Sequence, residues 1–476
     1  MAVVVGCLCS GTVAALDSTL ETSFGIGGQR MLSYQPSASN EADEGLAILR
    51  DGFDRRIVIV VRRNPTPLDP LRPFELMLFR DLADGSVDTS FGSGHGFVRV
   101  LAGWTEFRGA LIDSQNRILV AGTILDGTAV GAASCVMRLL ADGGRDLSFT
   151  GGVGNEGIAC YLFGSSAANR MVAVTQLPSG DLVSAANLDQ GNGDLLLQRI
   201  SGTNGAPVTT WGDGFGFKII DLQPGANAAR DTVVGLSTLA DGRVLALAQS
   251  CTVALGCLPA AAQLTATTGQ LDTSFCASSA CIAASVAGAN SGRRVVRNLQ
   301  IDGQTVTDLA TTVVLRDGVG RIVLGGQATL ASAAAERLLF VRLNANGELD
   351  SSFGAPATPG FQNLALSSVP LTPSSLALDA LGRLVVGGQG EHATLRRIFI
   401  ARMGDNGQLD AGFGGASALV EYFAAPAADD RALRALGFDG ARILGVGDFN
   451  GSANRDAFLF RLGGNPDALF VNGFEG

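Results

Sequence analysis

The chain has 476 residues, 64 of them glycine, with 46% hydrophobic and 16% charged positions and a formal net charge of −10. That composition excludes a disordered chain. The acidic balance, without any basic run, disfavours a binder of nucleic acid or anionic membranes, and the single lysine, Lys218, preceded by Phe217 where the motif needs Gly, excludes a P-loop.

The first element in chain order is a leader. Residues 1–15 are apolar and close on Val13-Ala14-Ala15, a small-x-small pattern that fits secretory cleavage, although no basic segment precedes them. We read 1–15 as a signal peptide truncated at its start, in preference to a buried first strand. Val4-Val5-Gly6-Cys7 is a weaker variant, a lipoprotein processing box with few residues before the Cys. No other stretch approaches the ~18 apolar residues of a membrane-spanning helix.

From Glu21 onward the chain repeats itself about every 64 residues. Within a repeat, one β-like run ends in a turn, as in "LSTLADG" (236–242). A second follows at once, as in "RILVAGT" (117–123), and a third ends in an Arg and a glycine turn, as in "RLLFVRLNANG" (337–347). A marker then leads into a fourth run, as in "GFVRVLAG" (96–103). Short segments rich in Val, Ile, Leu and Phe, punctuated by Asp-Gly and Asn-Gly, predict antiparallel strands joined by tight hairpins.

The marker is an acid three residues before an aromatic: Asp88 and Phe91, Asp146 and Phe149, Asp272 and Phe275, Asp350 and Phe353, Asp410 and Phe413, Asp467 and Phe470. Trp211 ends a copy in which Val208 replaces the acid, and Phe24 ends the first copy. Four antiparallel strands repeated seven times predict an all-β, seven-bladed propeller as a single domain over 21–470, with 471–476 as a short tail. Eight markers bracket seven units, and the first has a fourth run with no three runs before it. The N-terminal strand is therefore expected to complete the last blade by pairing with "DAFLFRLG" (456–463). The paired glycines of "LGGQ" and "VGGQ" are expected where neighbouring blades crowd, and the extra length of each unit is expected in loops such as 64–73 and 281–308.

The succession "NRILVAG" (116–122), "RLLADG" (138–143) and an acid-x-x-Phe corner such as "VDTSFG" (87–92) resembles the delta-60 repeat family of bacterial, mostly exported, propeller-like proteins. The resemblance runs from about Glu21 to Phe470. It departs at Gln263, where the other units have Arg, and at Val208 and Trp211. It implies a fold and export, and no reaction.

In that frame the six cysteines left after the leader allow fifteen connectivities. Their spacing suits short disulfides better than zinc, which favours C-x2-4-C pairs together with His. Cys135 falls on the third strand of its blade and Cys160 on the fourth, Cys251 and Cys257 share one loop, and Cys276 and Cys281 share another, so local pairing into three disulfides is favoured.

The repeated Arg80, Arg138, Arg199, Arg342, Arg402 and Arg461, with the repeated acids, point to architecture, since a catalytic group is needed once. The carboxylate is expected to accept from its own turn or from the Arg, and the aromatic to pack between blades. Catalytic templates fail: H-E-x-x-H, C-x-x-C and G-x-S-x-G do not occur, and His95 and His392 fall in loops. The carboxylates of "EADEG" (41–45) and "AADD" (427–430) read as solubilising loop residues. In "GDFNGSANRD" (447–456), Asp448, Asn450, Ser452, Asn454 and Asp456 have a calcium-like spacing. The segment lacks the Gly and Glu of a calcium loop, so a polar hairpin is expected. No catalytic residue, cofactor or metal ligand is expected.

The C-terminal "NPDALFVNGFEG" resembles a short tail of some exported Gram-negative proteins, and its Asp467-x-x-Phe470 also has the corner spacing. The expected location is secreted, at the cell surface or in the periplasm of such a bacterium. The expected function is a monomeric, non-enzymatic scaffold binding an unknown protein or glycan. The alternative is an extracellular propeller lyase or hydrolase with a carboxylate or metal site in its central channel.

Overall fold

The computed structural model describes residues 19–463 apart from 22, 26–27, 33–41, 64–73, 83, 102–103, 126–131, 153–156, 164–169, 189–192, 225–228, 286–291, 302, 332, 365, 367–369, 393–394, 415–418, 423–429 and 451–454. Seven antiparallel blades follow one another, each running from an inner strand at the axis to an outer strand at the rim. Blade 1 shows the pattern: Ala42–Arg50, Arg56–Arg63, Phe74–Asp81 and Phe97–Leu101 pair in that order. The inner strands of blades 2 to 7 are Trp104–Ile112, Arg170–Gln176, Arg230–Thr238, Gln304–Arg316, Leu371–Leu378 and Asp430–Asp439. Among the described residues the only α-helix is Ser279–Ala283.

Alternation along the strands builds the ring. Side chains on a strand point to opposite faces with period two, so each strand feeds two interfaces. In blade 4, Val244, Ala246 and Ala248 pack toward blade 3, while Leu245 and Leu247 pack toward blade 5. The result is one apolar core between each pair of neighbouring blades instead of a single central core. The two-glycine segments serve close approach in two directions. A Cβ on Gly388 would lie 2.1 Å from Thr372 O in its own blade, whereas one on Gly387 would lie 2.4 Å from Leu433 in the next.

The seam is closed by the N-terminus. Gln29–Met31 is the outer strand of blade 7, with Gln29, Arg30 and Met31 opposite Phe460, Leu459 and Phe458. A parallel bridge from Ala42 to Arg455 joins blades 7 and 1. Phe24 and Leu32 enter the core between these blades together with Val58, Met77 and Leu459.

Three segments differ from the sequence expectation. Residues 281–308 are not only loop: they carry the end of the short helix, the outer strand of blade 4 (Arg293–Val295) and a two-residue strand, Gln300–Ile301, that folds back on the inner strand of blade 5. Asp43 and Glu44, and Asp430 of 427–430, are also on strands and not on loops, while Glu41 and Asp429 lie outside the described residues. Ala42–Arg50 is an inner strand, in which Asp43 is buried and takes both Arg62 Nε (2.8 Å) and Nη2 (3.0 Å). Local polarity read as a loop because the strand lines a polar channel.

Candidate ligand-binding channel

The corners hold the blades in place. Arg80 Nε donates to Asp88 (2.7 Å), Arg138 to Asp146 (2.8 Å), Arg342 to Asp350 (2.7 Å) and Arg402 to Asp410 (2.8 Å). The second carboxylate oxygen accepts the N–H two residues on, from Ser90, Ser148, Ser352 and Gly412. Each of these guanidiniums also lies over the marker ring, 4.3 to 4.6 Å from the centroids of Phe91, Phe149, Phe353 and Phe413. The ring then wedges against the turn of the next blade. Gly347, at φ +86°, has room for no Cβ because Phe275 would lie 2.9 Å away. At five corners a backbone bond to the next blade completes the joint, as in Gly354 N to Asn406 O (2.9 Å).

The departures are compensated locally. In blade 4 Gln263 Nε2 reaches Asp272 (2.8 Å) and the hairpin Arg243 adds a second bond (2.9 Å). Burial opposes ionisation of Asp272, yet the bonds from Ser274, Arg243 and Gln263 prevail and hold it at about 2. In blade 3 Val208 offers no carboxylate to Arg199, and Asp181 supplies it instead at 2.7 Å. Asp181 stands at the hairpin position that Arg55, Arg117, Arg243, Arg321, Arg383 and Arg442 occupy elsewhere, two residues before the residue facing the corner Arg or Gln. Trp211 is fully buried in the core between blades 3 and 4. The seventh corner is assembled from both ends of the chain: Arg461 donates to Glu21 (2.8 Å) and lies 4.6 Å from the Phe24 ring. Sequence reasoning named Phe24 and missed Glu21 as the acid, although "ETSF" carries the spacing. Asp467, Phe470 and the leader lie outside the described residues.

Three disulfides join Cys135 to Cys160, Cys251 to Cys257 and Cys276 to Cys281. The first crosses the third and outer strands of blade 2, and the second links two directly opposed strand residues. His95 is exposed, its ring 5.9 Å from that of Phe97, and His392 ends the second strand of blade 6. Asp448 lies on a strand, fully buried, and accepts from Arg434 Nε at 2.5 Å. Ser452 and Asn454 of the same segment lie outside the described residues.

The sequence gives no sign of what happens at the axis. Every inner strand carries a register shift against its neighbour at the same height, which leaves one residue out of the ladder: Leu46, Arg108, Val172, Val234, Thr312, Ser374 and Arg434. A bulge re-aims the extra side chain and is common beside functional sites. All seven bulged residues line one cavity of about 820 Å³, with Glu44, Glu106, Thr232, Gln249, Thr311 and Ser375 among its other walls. The corner chemistry is kept around the ring; the bulge chemistry changes at almost every blade. Its charged groups are fixed in pairs: Arg108 on Glu106 (2.7 Å), and Arg434 between Asp448 and, at 3.9 Å, Glu44.

A side bay of about 270 Å³ opens from this channel between blades 2, 3 and 4, lined by Arg108, Arg170, Asn187, Arg230 and Asp231. Behind it the oxygens of Asp194, Asp221 and Asp231 lie within 4.8 Å of one another, the one group among the described residues with metal-ligating spacing. Asp231 is already engaged, accepting from Leu222 N (2.6 Å) and Ser250 Oγ. Burial, aided by Asp221 and Asp194, pushes its carboxyl up to about 6 against those bonds.

Residues 320–353, within blade 5, match the family model described as the DUF5122 β-propeller, a domain of unknown function. That match supports a propeller-repeat family. The chain is similar in fold to a crystal structure of the polysaccharide lyase Uly1, at 12% identity and a TM-score of 0.51, with 94% of this chain and 98% of that one covered. It also aligns with a PL25 ulvan lyase (8% identity, TM-score 0.45, 91% and 99% covered). The β-propeller domain of the trilobed protease from Pyrococcus furiosus aligns too (7%, 0.43, 91% and 99%). No curated protein matches the chain.

Proposed function

We propose that this propeller is an exported, non-enzymatic binding scaffold that takes a hydroxyl-rich ligand, a glycan segment, in its central channel. The observation that carries the reading is the bulge ring: seven residues of differing chemistry converge on one cavity while the framework behind them repeats. Thr232, Thr311, Thr312, Ser374 and Ser375 offer hydroxyls beside the apolar Leu46, Val172 and Val234, the mixture of polar and apolar contact that a sugar ring presents. Three disulfides support a location outside the cytoplasm, and the repeat text supports the finer assignment to the delta-60 family. No helix among the described residues is long and apolar enough to cross a membrane.

The test is calorimetric titration with neutral and acidic oligosaccharides, using the parent chain and Val234→Trp, which fills the channel from a position outside the ladder. Binding in the parent, weakened at least about ten-fold in the variant, supports the reading. Cleavage of the recovered sugar would favour the propeller-enzyme alternative, for which Glu44 and Glu106 in the same cavity are the carboxylates to replace.

A further inference from the structure

The side bay gathers three guanidiniums in an acidic molecule, with the carboxylates of Asp194, Asp221 and Asp231 clustered behind it. Against a net charge of −10, strands of three successive blades bring Arg108, Arg170 and Arg230 to one concave surface. Arg170 and Arg230 are exposed at the starts of their inner strands, and Arg108 is the bulged residue of blade 2. Of the two acids that line the bay, Glu106 is held by Arg108, and the buried Asp231 is committed to Leu222 N and Ser250. Asn187, directly opposite Arg170, gives its oxygen to Val233 N (2.8 Å), which leaves its amide NH2 as a donor. The bay is therefore a set of donors at the mouth of a hydroxyl-lined channel, with Val172, Thr232 and Val233 shared between the two.

We propose that this bay binds the anionic group, a carboxylate or a sulfate, of an acidic glycan whose sugar ring lies in the channel. The inference rests on the glycan reading above. Guanidiniums suit carboxylates and sulfates because their paired N–H donors match two oxygens at once.

The experiment is titration of the full-length protein with four probes, at low and at high salt. They are hexagalacturonate, its fully methyl-esterified form, a sulfated dextran oligosaccharide and its unsulfated parent. The expected result is a preference of at least about ten-fold for the charged member of one pair, reduced by salt. Whichever pair shows the gap identifies the group. The double variant Arg170→Gln with Arg230→Gln should lose that preference while still binding the uncharged probe. Arg170→Lys with Arg230→Lys, which keeps the charge, should retain most of it. Equal affinity within both pairs, or an unchanged preference in the Gln variant, overturns the acidic bay and leaves the glycan reading standing. Binding of none of the four overturns both.

Discussion

A carboxylate bonded to a guanidinium that lies over a buried ring is the unit from which most of the joints are made. Breaking such a partly buried pair costs more than the pair contributes, because the remaining charge is left without compensation. Blade 3 offers the sharpest test, since its acid has moved to the hairpin. Asp181→Asn should lower stability by about 1–3 kcal/mol, and adding Val208→Asp should restore most of it. Val208 N already bonds Arg199 O, as Asp88 N bonds Arg80 O. Urea unfolding of the two variants checks this, and an unrelieved double variant would show that the corner does not depend on charge.

Titration separates two residues of opposite sign. Asp272, held at about 2 against its ordinary 3.8, favours the fold above 3.8 and loses that contribution as pH falls toward 2. Asp231, raised to about 6, favours the fold below 3.8, and its contribution disappears as pH rises through 6. Asp231→Asn should therefore flatten the decline in stability between pH 4 and pH 6, measured by denaturant midpoints, and leave the acid limb below pH 4 in place.

At the scale of strands, the outer seam of blade 7 behaves as an ordinary corner made from distant segments. Phe24 is almost as buried as Phe91. Replacing either with Ala should cost about 3–5 kcal/mol, the usual range for a buried Phe. If Phe24→Ala costs under about 1 kcal/mol, the N-terminal strand is not a closing element. Strands and corners were legible in the sequence because a fixed spacing of Arg, acid and aromatic survives from unit to unit. So was the closure, because a fourth run at the N-terminus lacked a blade. The bulges were not legible. A bulge is a relation of register between two strands, and Leu46, Arg108, Val172, Val234, Thr312, Ser374 and Arg434 share no chemistry by which a pattern could reveal them. The same reason hid Glu44, which looked like part of a solvated acidic loop and stands on the channel wall.

Over the whole ring, stability is a sum of joints between neighbours, as in other repeat folds. The disulfides reinforce single blades. The Cys135–Cys160 bridge, with 25 residues of separation, should contribute about 3 kcal/mol, and the bridges with separations of 6 and 5 should contribute about 2 kcal/mol each. Reduction should accordingly lower the melting temperature without opening the ring, a difference calorimetry can read. Such a rigid frame holds the axial residues in place while their identities vary, which is how one architecture can present a specific surface. Crystallography of the protein soaked with an oligosaccharide that binds in solution addresses this most directly. Sugar density in the axial cavity, in contact with bulged residues of several blades, is the predicted result. Density only on the outer rim, with the cavity empty, would contradict it.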